Sequence, residues 1–361
     1  MRAGHVDVLV VGLGPAGAAA AAVAAARGLS VLAVERRAEI GVPVQCAEWI
    51  PAPLGAYARA EGVSAQKIRG MRTCLPSGAV LRSDVRGLMI DRARFDQALA
   101  ATAERAGARL ALSTRLTALD MGTCLARIAG PLAQREVRFR WLVAADGPHS
   151  HVAQVLGLKP LETVHARQYT VALHERQEDT DIWLSGDYPG GYAWLFPKGA
   201  VANLGLGLDK RFARDLKRPL DALHRRLVEA GRVRPEIMSR TGGAIPVGGL
   251  RERLAVGSVL LVGDAAGLTH PVTGAGIAAA VISGERAGEA VAEAARGMGA
   301  LALAGFEEEV RDQFETTLAR GVARRRELDA CWGRDSAWRD DVHRRGWIAF
   351  PEYFSGGPAI A

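Results

Sequence analysis

Residues 6–17 read VDVLVVGLGPAG, an apolar run that leads directly into a glycine-rich turn. The run predicts a short buried strand, and the alanine-rich stretch from about 15 to 27 predicts a helix that ends at Gly28. Residues 30–35 predict the next strand. Strand, turn, helix and strand together form a β-α-β unit, which predicts a parallel sheet and an α/β fold.

The turn follows the G-x-G-x-x-G pattern of dinucleotide-binding sites. The glycine at 12 permits a tight turn, the one at 14 lets a pyrophosphate approach the backbone, and the one at 17 lets helix and strand pack closely. Glu35 ends the second strand, where a carboxylate can accept hydrogen bonds from ribose hydroxyls and disfavours a 2′-phosphate. The candidate cofactor residues of this unit are Gly12, Gly14, Pro15, Ala16, Gly17, Glu35 and Arg36.

Two further glycine-containing motifs follow predicted buried strands. The first is Asp146-Gly147, after the strand predicted over 141–146, and the second is LLVGDAAGLTHPVTGAGIAAAV at 260–281. In the second motif, Asp264 is suited to bind a ribityl hydroxyl, and the amides at 274–277 are suited to stabilise negative charge on a reduced flavin ring. Its candidate cofactor residues are Gly263, Asp264, Pro271, Gly274, Ala275, Gly276 and Ile277.

These motifs, in this order, resemble the FAD-dependent oxidoreductases of the para-hydroxybenzoate hydroxylase type over roughly residues 5–300. The pattern Arg92-x-x-Phe95-x-x-x-Leu99 also resembles a helix of that superfamily. The resemblance implies that Arg92 lies near the flavin diphosphate and ribityl chain.

Two segments resemble geranylgeranyl reductases within that superfamily. PVQCAE at 43–48 is similar to the family segment that places a cysteine near the flavin, which implies flavin contacts for Cys46 and Ala47. The family usually has Gly at position 47, and Glu48 has two readings, loop stabilisation or substrate binding. YAWLFP at 192–197, followed by Gly205-Leu-Gly207, is similar to the signature that lines the substrate cavity. It implies substrate contacts for Tyr192, Trp194, Phe196, Pro197, Gly205 and Gly207.

The candidate catalytic residues are Cys46, Tyr192 and Trp194. Alternation along a strand puts the aromatic side chains at 192, 194 and 196 on one face, as a flat apolar wall for a flavin edge or an isoprenoid chain. The alternative for these aromatics is a core layer, and the alternative for Cys46 is a buried structural thiol. Gly205 and Gly207 allow either close approach of a ligand or close sheet packing.

The resemblance implies a flavin enzyme that reduces carbon–carbon double bonds of an isoprenoid-type substrate by hydride transfer from flavin N5. The alternative is a monooxygenase that hydroxylates an aromatic small molecule or a peptide Trp or Tyr through a C4a-hydroperoxide. A non-catalytic or electron-transfer flavoprotein is a third alternative. Because no second G-x-G-x-x-G is visible, the electron donor is expected to be transiently bound NAD(P)H or a reduced ferredoxin or flavodoxin.

The fold class predicted is α/β, with a Rossmann-like FAD-binding domain (GR2 type), an inserted antiparallel-sheet substrate lobe and a C-terminal helical region. The FAD-binding domain is assigned to 1–73, 91–155 and 251–300, and the substrate lobe to 74–90 and 156–250. The helical region is assigned to 301–361.

Composition narrows the class of protein further. The 361 residues carry a net charge of +7, but basic residues are dispersed among acids, which argues against nucleic-acid binding. Four cysteines without CxxC spacing indicate reduced thiols in a cytoplasmic protein, and no metal site is expected. The longest nearly apolar stretch has about 12 residues, whereas a spanning helix needs about 20. Peripheral contact with the inner membrane face, a lipid or small-molecule substrate, and an electron-carrier or peptide partner stay open, as does the oligomeric state.

Overall fold

The computed structural model describes residues 4–356. The first three residues of the predicted segment 1–73 and the last five of the predicted region 301–361 lie outside the described residues. In chain order, the strands are β1 Gly4–Val11, β2 Val31–Val34, β3 Trp49–Pro51, β4 Ser64–Ile68, β5 Gly70–Cys74, β6 Val80–Ser83, β7 Gly87–Ile90, β8 Arg109–Ala111, β9 Arg115–Asp120, β10 Leu125–Ala129, β11 Gln134–Ala144, β12 Thr163–Leu173, β13 Asp179–Trp183, β14 Ala193–Lys198, β15 Val201–Leu208, β16 Val233–Pro246, β17 Ala255–Val256 and β18 Val259–Leu261. The α-helices are α1 Pro15–Ala26, α2 Arg92–Arg105, α3 His151–Val155, α4 Lys217–Glu229, α5 Ile277–Glu293, α6 Gly299–Asp329 and α7 Asp340–Gly346.

A mainly parallel sheet has the strand order β17-β18-β11-β1-β2-β8, and β9 and β10 extend it from β11. The pairs from β18 to β8 are parallel, with Val11 opposite Ala144 and Val34. The carboxyl ends of β1, β2, β11 and β18 therefore meet at one edge, which is where ligands bind in open α/β sheets. This is the predicted Rossmann-like fold.

Helix α1 is almost entirely alanine, and small residues let it approach its neighbours closely. A Cβ on Gly284 of α5 would lie 2.1 Å from the Ala16 carbonyl oxygen, and one on Gly288 would lie 2.8 Å from the Ala20 carbonyl oxygen. The two helix backbones are therefore in direct contact. This contact fixes α1, and with it the glycine-rich turn, against α5.

The second sheet has the order β16-β12-β15-β14-β13-β5-β6, and all its pairs except β13 with β5 are antiparallel. This is the predicted antiparallel lobe. Strand β5 crosses the predicted boundary after residue 73, because it pairs along its whole length with β13. Strand β7, predicted in the lobe, instead forms a small sheet with β3 and β4. We propose that the lobe begins near residue 69 and returns to the first domain near residue 85.

The C-terminal region is helical, as predicted, and α6 packs against both α5 and α7. The helix predicted over 274–296 is shorter at both ends. It begins at Ile277 because Gly274 has a φ of +69° and Gly276, the N-cap, has a φ of −139°, and neither value is helical. At its other end it gives way to a π-helical segment, Ala294–Met298, in which Gly297 has a φ of +113°. The two strands predicted over 135–140 and 141–146 form the single strand β11.

Within residues 4–356, none of the helices has both the length and the apolar character needed to cross a bilayer. The same residues contain no cluster of three or more His, Cys, Asp and Glu side chains able to hold a metal ion.

Candidate active site

The three glycines of the first turn have different surroundings. A Cβ on Gly12, whose φ is +98°, would lie 2.3 Å from the Ala145 carbonyl oxygen, and one on Gly17 would lie 1.9 Å from the Gly12 carbonyl oxygen. A Cβ on Gly14 would meet nothing within 4 Å. The outer two glycines are thus required by packing, whereas Gly14 leaves open space at the N-terminus of α1. The free amides and the dipole of helix α1 make this space suitable for phosphate.

Glu35 lies beside this turn. Its Oε2 accepts a hydrogen bond from the Leu13 amide and its Oε1 accepts one from the Arg37 amide, each at 2.9 Å. These bonds hold the carboxylate in place at the end of β2. The neighbouring Arg36 is exposed.

The aspartates of the second and third motifs are both anchored. Asp146 Oδ2 accepts a hydrogen bond from the Val152 amide at 3.1 Å, whereas its buried Oδ1 has no partner among the described residues. Asp264 accepts a hydrogen bond of 2.6 Å from the Thr269 hydroxyl, and burial raises the pKa of Asp264. Both side chains stand at the carboxyl edge of the parallel sheet.

Residues 270–276, here called the His270 loop, precede α5. Within the loop the Gly274 amide donates to the His270 carbonyl oxygen at 2.9 Å, and the Ala275 amide donates to the Thr273 hydroxyl at 3.3 Å. These hydrogen bonds shape the loop, so Gly274 and Ala275 are candidates for contact with the flavin rather than for amide donation to it. The free donors at this end of the site are those of the first turn of α5, which begins at Ile277.

A buried histidine holds this loop together. His270 Nδ1 accepts hydrogen bonds from the Val272 and Thr273 amides at 3.3 and 3.2 Å, so its Nε2 carries the proton and faces the Tyr353 hydroxyl at 3.2 Å. Burial lowers the pKa of His270 to about 4, and the ring is neutral near pH 7. A Cβ on Gly321 of α6 would lie 2.8 Å from Pro271 Cδ, so α6 also presses on the loop.

Three aromatic side chains of the second sheet, Tyr192, Trp194 and Phe196, form a continuous group, here called the aromatic wall. The ring centroids at 192 and 194 are 5.6 Å apart, and those at 194 and 196 are 6.4 Å apart. The Tyr192 hydroxyl donates a 2.6 Å hydrogen bond to the Thr273 carbonyl oxygen, and burial raises the pKa of Tyr192 well above its usual range. The wall is thereby joined directly to the His270 loop.

The two glycines of β15, Gly205 and Gly207, have different surroundings. A Cβ on Gly205 would lie 2.4 Å from the Trp194 ring, so the indole occupies the space that the sequence offered to substrate. Gly207 differs, because a Cβ there would meet only the His165 carbonyl oxygen, at 4.0 Å, so packing does not require glycine at this position. Pro197 is buried within β14 and pairs with Ala202. The structure therefore favours packing over the expected substrate role for Gly205 and Pro197, whereas the substrate role of Gly207 stays a prediction.

Cys46 is connected to the aromatic wall by hydrogen bonds of a third side chain, which the sequence did not reveal. Its half-buried Sγ accepts a hydrogen bond from the Glu48 amide at 3.2 Å. Gln168 on β12 donates to the Cys46 carbonyl oxygen at 3.0 Å and accepts from Trp194 Nε1 at 3.1 Å. Ala47 packs in the same apolar cluster as Trp194. The one signal for this contact in the sequence was the glutamine itself, which interrupts the apolar positions of β12.

Glu48 stabilises the loop, which is one of its two predicted roles. It adopts a φ of +69°, and its buried carboxylate bonds Lys198 Nζ with both oxygens at 2.9 Å. It also accepts hydrogen bonds from Asn203 Nδ2 at 2.8 Å and from the Arg92 amide at 2.9 Å. One carboxylate thus connects the Cys46 segment, the second sheet and the start of α2.

Arg92 makes a bidentate ion pair with Asp96, with both nitrogen–oxygen distances at 3.0 Å. Burial disfavours the charge of Arg92, but the Asp96 carboxylate outweighs this effect and raises the pKa of Arg92. The guanidinium is therefore a fixed positive charge close to the Cys46 segment.

Comparison with known proteins places this site in a family. Residues 7–139 match FAD dependent oxidoreductases, residues 162–245 match the geranylgeranyl reductase catalytic domain, and residues 212–347 match lycopene cyclase proteins. A digeranylgeranylglycerophospholipid reductase of Methanopyrus kandleri is 38% identical over 344 residues, which cover 88% of this chain and 89% of the relative. One of Methanosarcina acetivorans is 37% identical over 307 residues, covering 80% and 75%. The chain belongs to the geranylgeranyl reductase family.

Solved structures agree with this membership in the geranylgeranyl reductase family. A geranylgeranyl bacteriochlorophyll reductase-like protein from Thermoplasma acidophilum superposes with a TM-score of 0.86 at 29% identity, covering 97% of this chain and 93% of the other. A flavin-dependent halogenase superposes with a TM-score of 0.73 at 17% identity, covering 94% and 68%. At that identity the halogenase shares the fold alone.

As a member of the geranylgeranyl reductase family, the protein is an FAD-dependent oxidoreductase, and its residues fit this cofactor. Gly14 leaves the space that a diphosphate requires, and Glu35 holds an anchored carboxylate beside it. The buried Asp146 Oδ1 lacks a partner within residues 4–356, which is the state expected of an acceptor that awaits a hydroxyl.

The neutral His270 predicts a pH dependence of stability. The unfolded chain binds a proton near pH 6.5, whereas the folded protein does so only near pH 4, so stability falls as the pH drops between these values. We expect a loss of about 3 kcal/mol across this range. His270→Asn keeps an acceptor for the two loop amides but does not titrate, and it should flatten the slope in chemical unfolding measured from pH 7 to 4. An unchanged slope would assign the pH dependence to other groups, such as the buried His343.

Proposed function

We propose that this protein reduces carbon–carbon double bonds of an isoprenoid-type substrate whose alkene lies between the aromatic wall and the bound flavin. The observation that carries this proposal is the 2.6 Å hydrogen bond from the Tyr192 hydroxyl to the Thr273 carbonyl oxygen. It joins the buried aromatic wall to the loop that precedes α5, at the cofactor edge of the sheet. The relatives named digeranylgeranylglycerophospholipid reductases support the same substrate class.

When bound, FAD supplies the hydride for this chemistry. Backbone amides of the turn at 12–17 and of the N-terminus of α5 stabilise negative charge on the bound FAD. The anchored carboxylates of Glu35, Asp146 and Asp264 accept hydrogen bonds from its hydroxyl groups. The residues proposed to bind FAD are Gly12, Gly14, Pro15, Ala16, Gly17, Glu35, Arg36, Cys46, Ala47, Arg92, Asp146, Gly147, Gly263, Asp264, Pro271, Gly274, Ala275, Gly276 and Ile277.

The aromatic wall orients the substrate and excludes water. An unactivated alkene offers no charged group, so an apolar surface holds it better than a polar one would. Tyr192 is a positioning residue, because its proton is committed to the Thr273 carbonyl oxygen and burial opposes its ionisation. Cys46 is the remaining candidate to deliver the proton that completes the reduction, and its thiol would regain a proton from solvent.

The test supplies electrons chemically, so that it does not depend on the natural donor. The purified FAD-loaded protein is reduced with dithionite and mixed with geranylgeraniol, and the masses of the products are measured by mass spectrometry. We expect a gain of two hydrogens for each double bond reduced. A product that gains one oxygen after air is admitted would instead support the monooxygenase alternative, which has only the shared fold in its favour.

Trp194→Phe tests the aromatic wall. The phenyl ring keeps the apolar surface but loses the bond to Gln168, which also holds the Cys46 carbonyl oxygen. We expect turnover of geranylgeraniol to fall about tenfold, with the flavin absorbance spectrum unchanged. Trp141→Phe, on β11 of the other sheet, is the matched control. Equal turnover in the two variants would return Trp194 to a purely structural role.

We further propose that NAD(P)H or a reduced ferredoxin or flavodoxin supplies the electrons, and that the protein is cytoplasmic and contacts the inner membrane face when it takes up a lipid substrate. The single dinucleotide motif supports a donor that binds transiently. Anaerobic bleaching of the flavin by each donor in turn, with and without vesicles of the substrate lipid, identifies the donor and the membrane requirement.

A further inference from the structure

Residues 43–48, the Cys46 segment, lie across three neighbouring strands of the second sheet, β16, β12 and β15. Each of these strands supplies one side chain that donates a hydrogen bond to a backbone carbonyl oxygen of the segment. The bonds are Thr241 Oγ1 to Val44 at 2.7 Å, Gln168 Nε2 to Cys46 at 3.0 Å and Asn203 Nδ2 to Ala47 at 3.2 Å. The second sheet therefore fixes the backbone of the segment on both sides of the thiol.

Both ends of the Gln168 amide are engaged, each by a different part of the site. Its Oε1 accepts a 3.1 Å hydrogen bond from Trp194 Nε1, while its Nε2 bonds the Cys46 carbonyl oxygen. An indole N–H can only donate and a carbonyl oxygen can only accept, so these two partners determine which way the amide points. Gln168 is 4% exposed, where an unbonded amide would be costly. The side chain thus fixes Cys46 relative to the aromatic wall.

The Cys46 thiol itself lies within electrostatic reach of the wall. Burial and, after it, the charge of a Cys46 thiolate raise the pKa of Tyr192. The Sγ is held within its own segment by the 3.2 Å hydrogen bond from the Glu48 amide. A shift of the Cys46 backbone would therefore move the thiol relative to the surface against which the alkene is proposed to lie.

We propose that Gln168 is a positioning residue that places the Cys46 thiol for delivery of its proton to the alkene. In this step the thiol hydrogen goes to one alkene carbon, the hydride supplied by reduced FAD goes to the other, and the thiolate regains a proton from solvent. Because Thr241 and Asn203 hold neighbouring carbonyl groups independently, loss of Gln168 displaces Cys46 alone. This inference rests on the proposed function and adds the group that aligns its proton donor.

The test variant is Gln168→Met, which keeps the length of the side chain and loses both hydrogen bonds. Gln66→Met is the matched control, because Gln66 on β4 also engages both ends of its amide, with the Gly199 amide at 2.8 Å and with the Gln177 carbonyl oxygen. The oxidised FAD-loaded proteins are treated with iodoacetamide, and peptide mass spectrometry gives the alkylation rate of each of the four free cysteines. Turnover of geranylgeraniol is measured with dithionite as the electron source.

We expect Cys46 of Gln168→Met to be alkylated about fivefold faster than in the wild type, with unchanged rates at the other cysteines and in the control. The kcat should fall about tenfold at an unchanged KM. Trp194→Phe releases the other end of the amide and should give the same selective rise at Cys46, so it serves as the test if Gln168→Met does not fold.

The other cysteines of the chain separate positioning from general loosening. An equal rise in alkylation at all four thiols, or a wild-type kcat in Gln168→Met, would overturn the inference and leave Gln168 a structural residue. A selective rise at Cys46 in a protein that reduces no geranylgeraniol would keep the placement of the thiol by Gln168 and reject the proposed function.

Discussion

Gly14→Val is expected to abolish FAD binding while the protein stays folded. A Cβ at position 14 meets no protein atom within 4 Å, and the φ of −73° and ψ of −174° are open to any residue. The added methyl groups would instead fill the space at the N-terminus of α1, where a diphosphate has to contact backbone amides. We expect FAD affinity to fall more than a hundredfold, with loss of the flavin absorbance band and no rise in Tm when FAD is added.

A matched control separates the site from the general effect of the substitution. Gly305 lies within α6, and a Cβ there also meets nothing within 4 Å, so Gly305→Val makes the same change away from the site. This control should retain FAD. A Gly14→Val protein that still purified with its full complement of flavin would overturn the assignment of this turn. Gly17→Ala, by contrast, should prevent folding, because its Cβ would lie 1.9 Å from a carbonyl oxygen.

Glu48→Gln is expected to lower the free energy of unfolding by about 3 kcal/mol, because it leaves the Lys198 ammonium without its counter-charge. In the wild type, Lys198 Nζ and Asn203 Nδ2 both donate to the Glu48 carboxylate. In the variant, an amide NH₂ group takes the place of one carboxylate oxygen and faces these donors. Urea unfolding of the FAD-loaded protein measures the loss.

Two comparisons isolate the buried ion pair. Glu178→Gln breaks an exposed pair with Arg69 and should cost less than about 0.5 kcal/mol. In a cycle with Lys198→Met, the double variant should lose less stability than the sum of the single variants, because the second change removes the charge that the first leaves unpaired. Strict additivity would mean that the two charges do not interact across this contact.

The local patterns of the chain were sufficient to predict the β-α-β unit with which the first domain begins. The strand, glycine turn and helix at 4–26 are contiguous, and Gly12 and Gly17 have the steric reasons that the motif predicts, whereas Gly14 leaves open space. The alternation at 192–196 predicted a shared aromatic face, and the rings do lie together. These features depend on neighbours in sequence, which is why they could be read before the structure was known.

Contacts across long sequence separations could not be predicted in the same way. Strand β16 contains Pro and a Gly-Gly pair that are typical of turns, and it forms because β12 pairs along nearly its whole length. Lys198 reaches Glu48 across 150 residues, and Gln168 reaches Cys46 across 122. No local signal shows which distant residue such a side chain will contact. The packing role of Gly205 could not be predicted either, because it depends on the orientation of the Trp194 indole.

The anchoring of the His270 loop has a consequence for the order of events during synthesis. The parallel sheet needs no strand beyond residue 261, yet the loop takes its hydroxyl contacts from Tyr192 and from Tyr353. A nascent chain therefore has all strands of its nucleotide-binding sheet long before the loop can be fixed. Stable capture of the flavin is expected to wait until residue 353 has left the ribosome, so that bound flavin marks chains whose synthesis has passed helix α7.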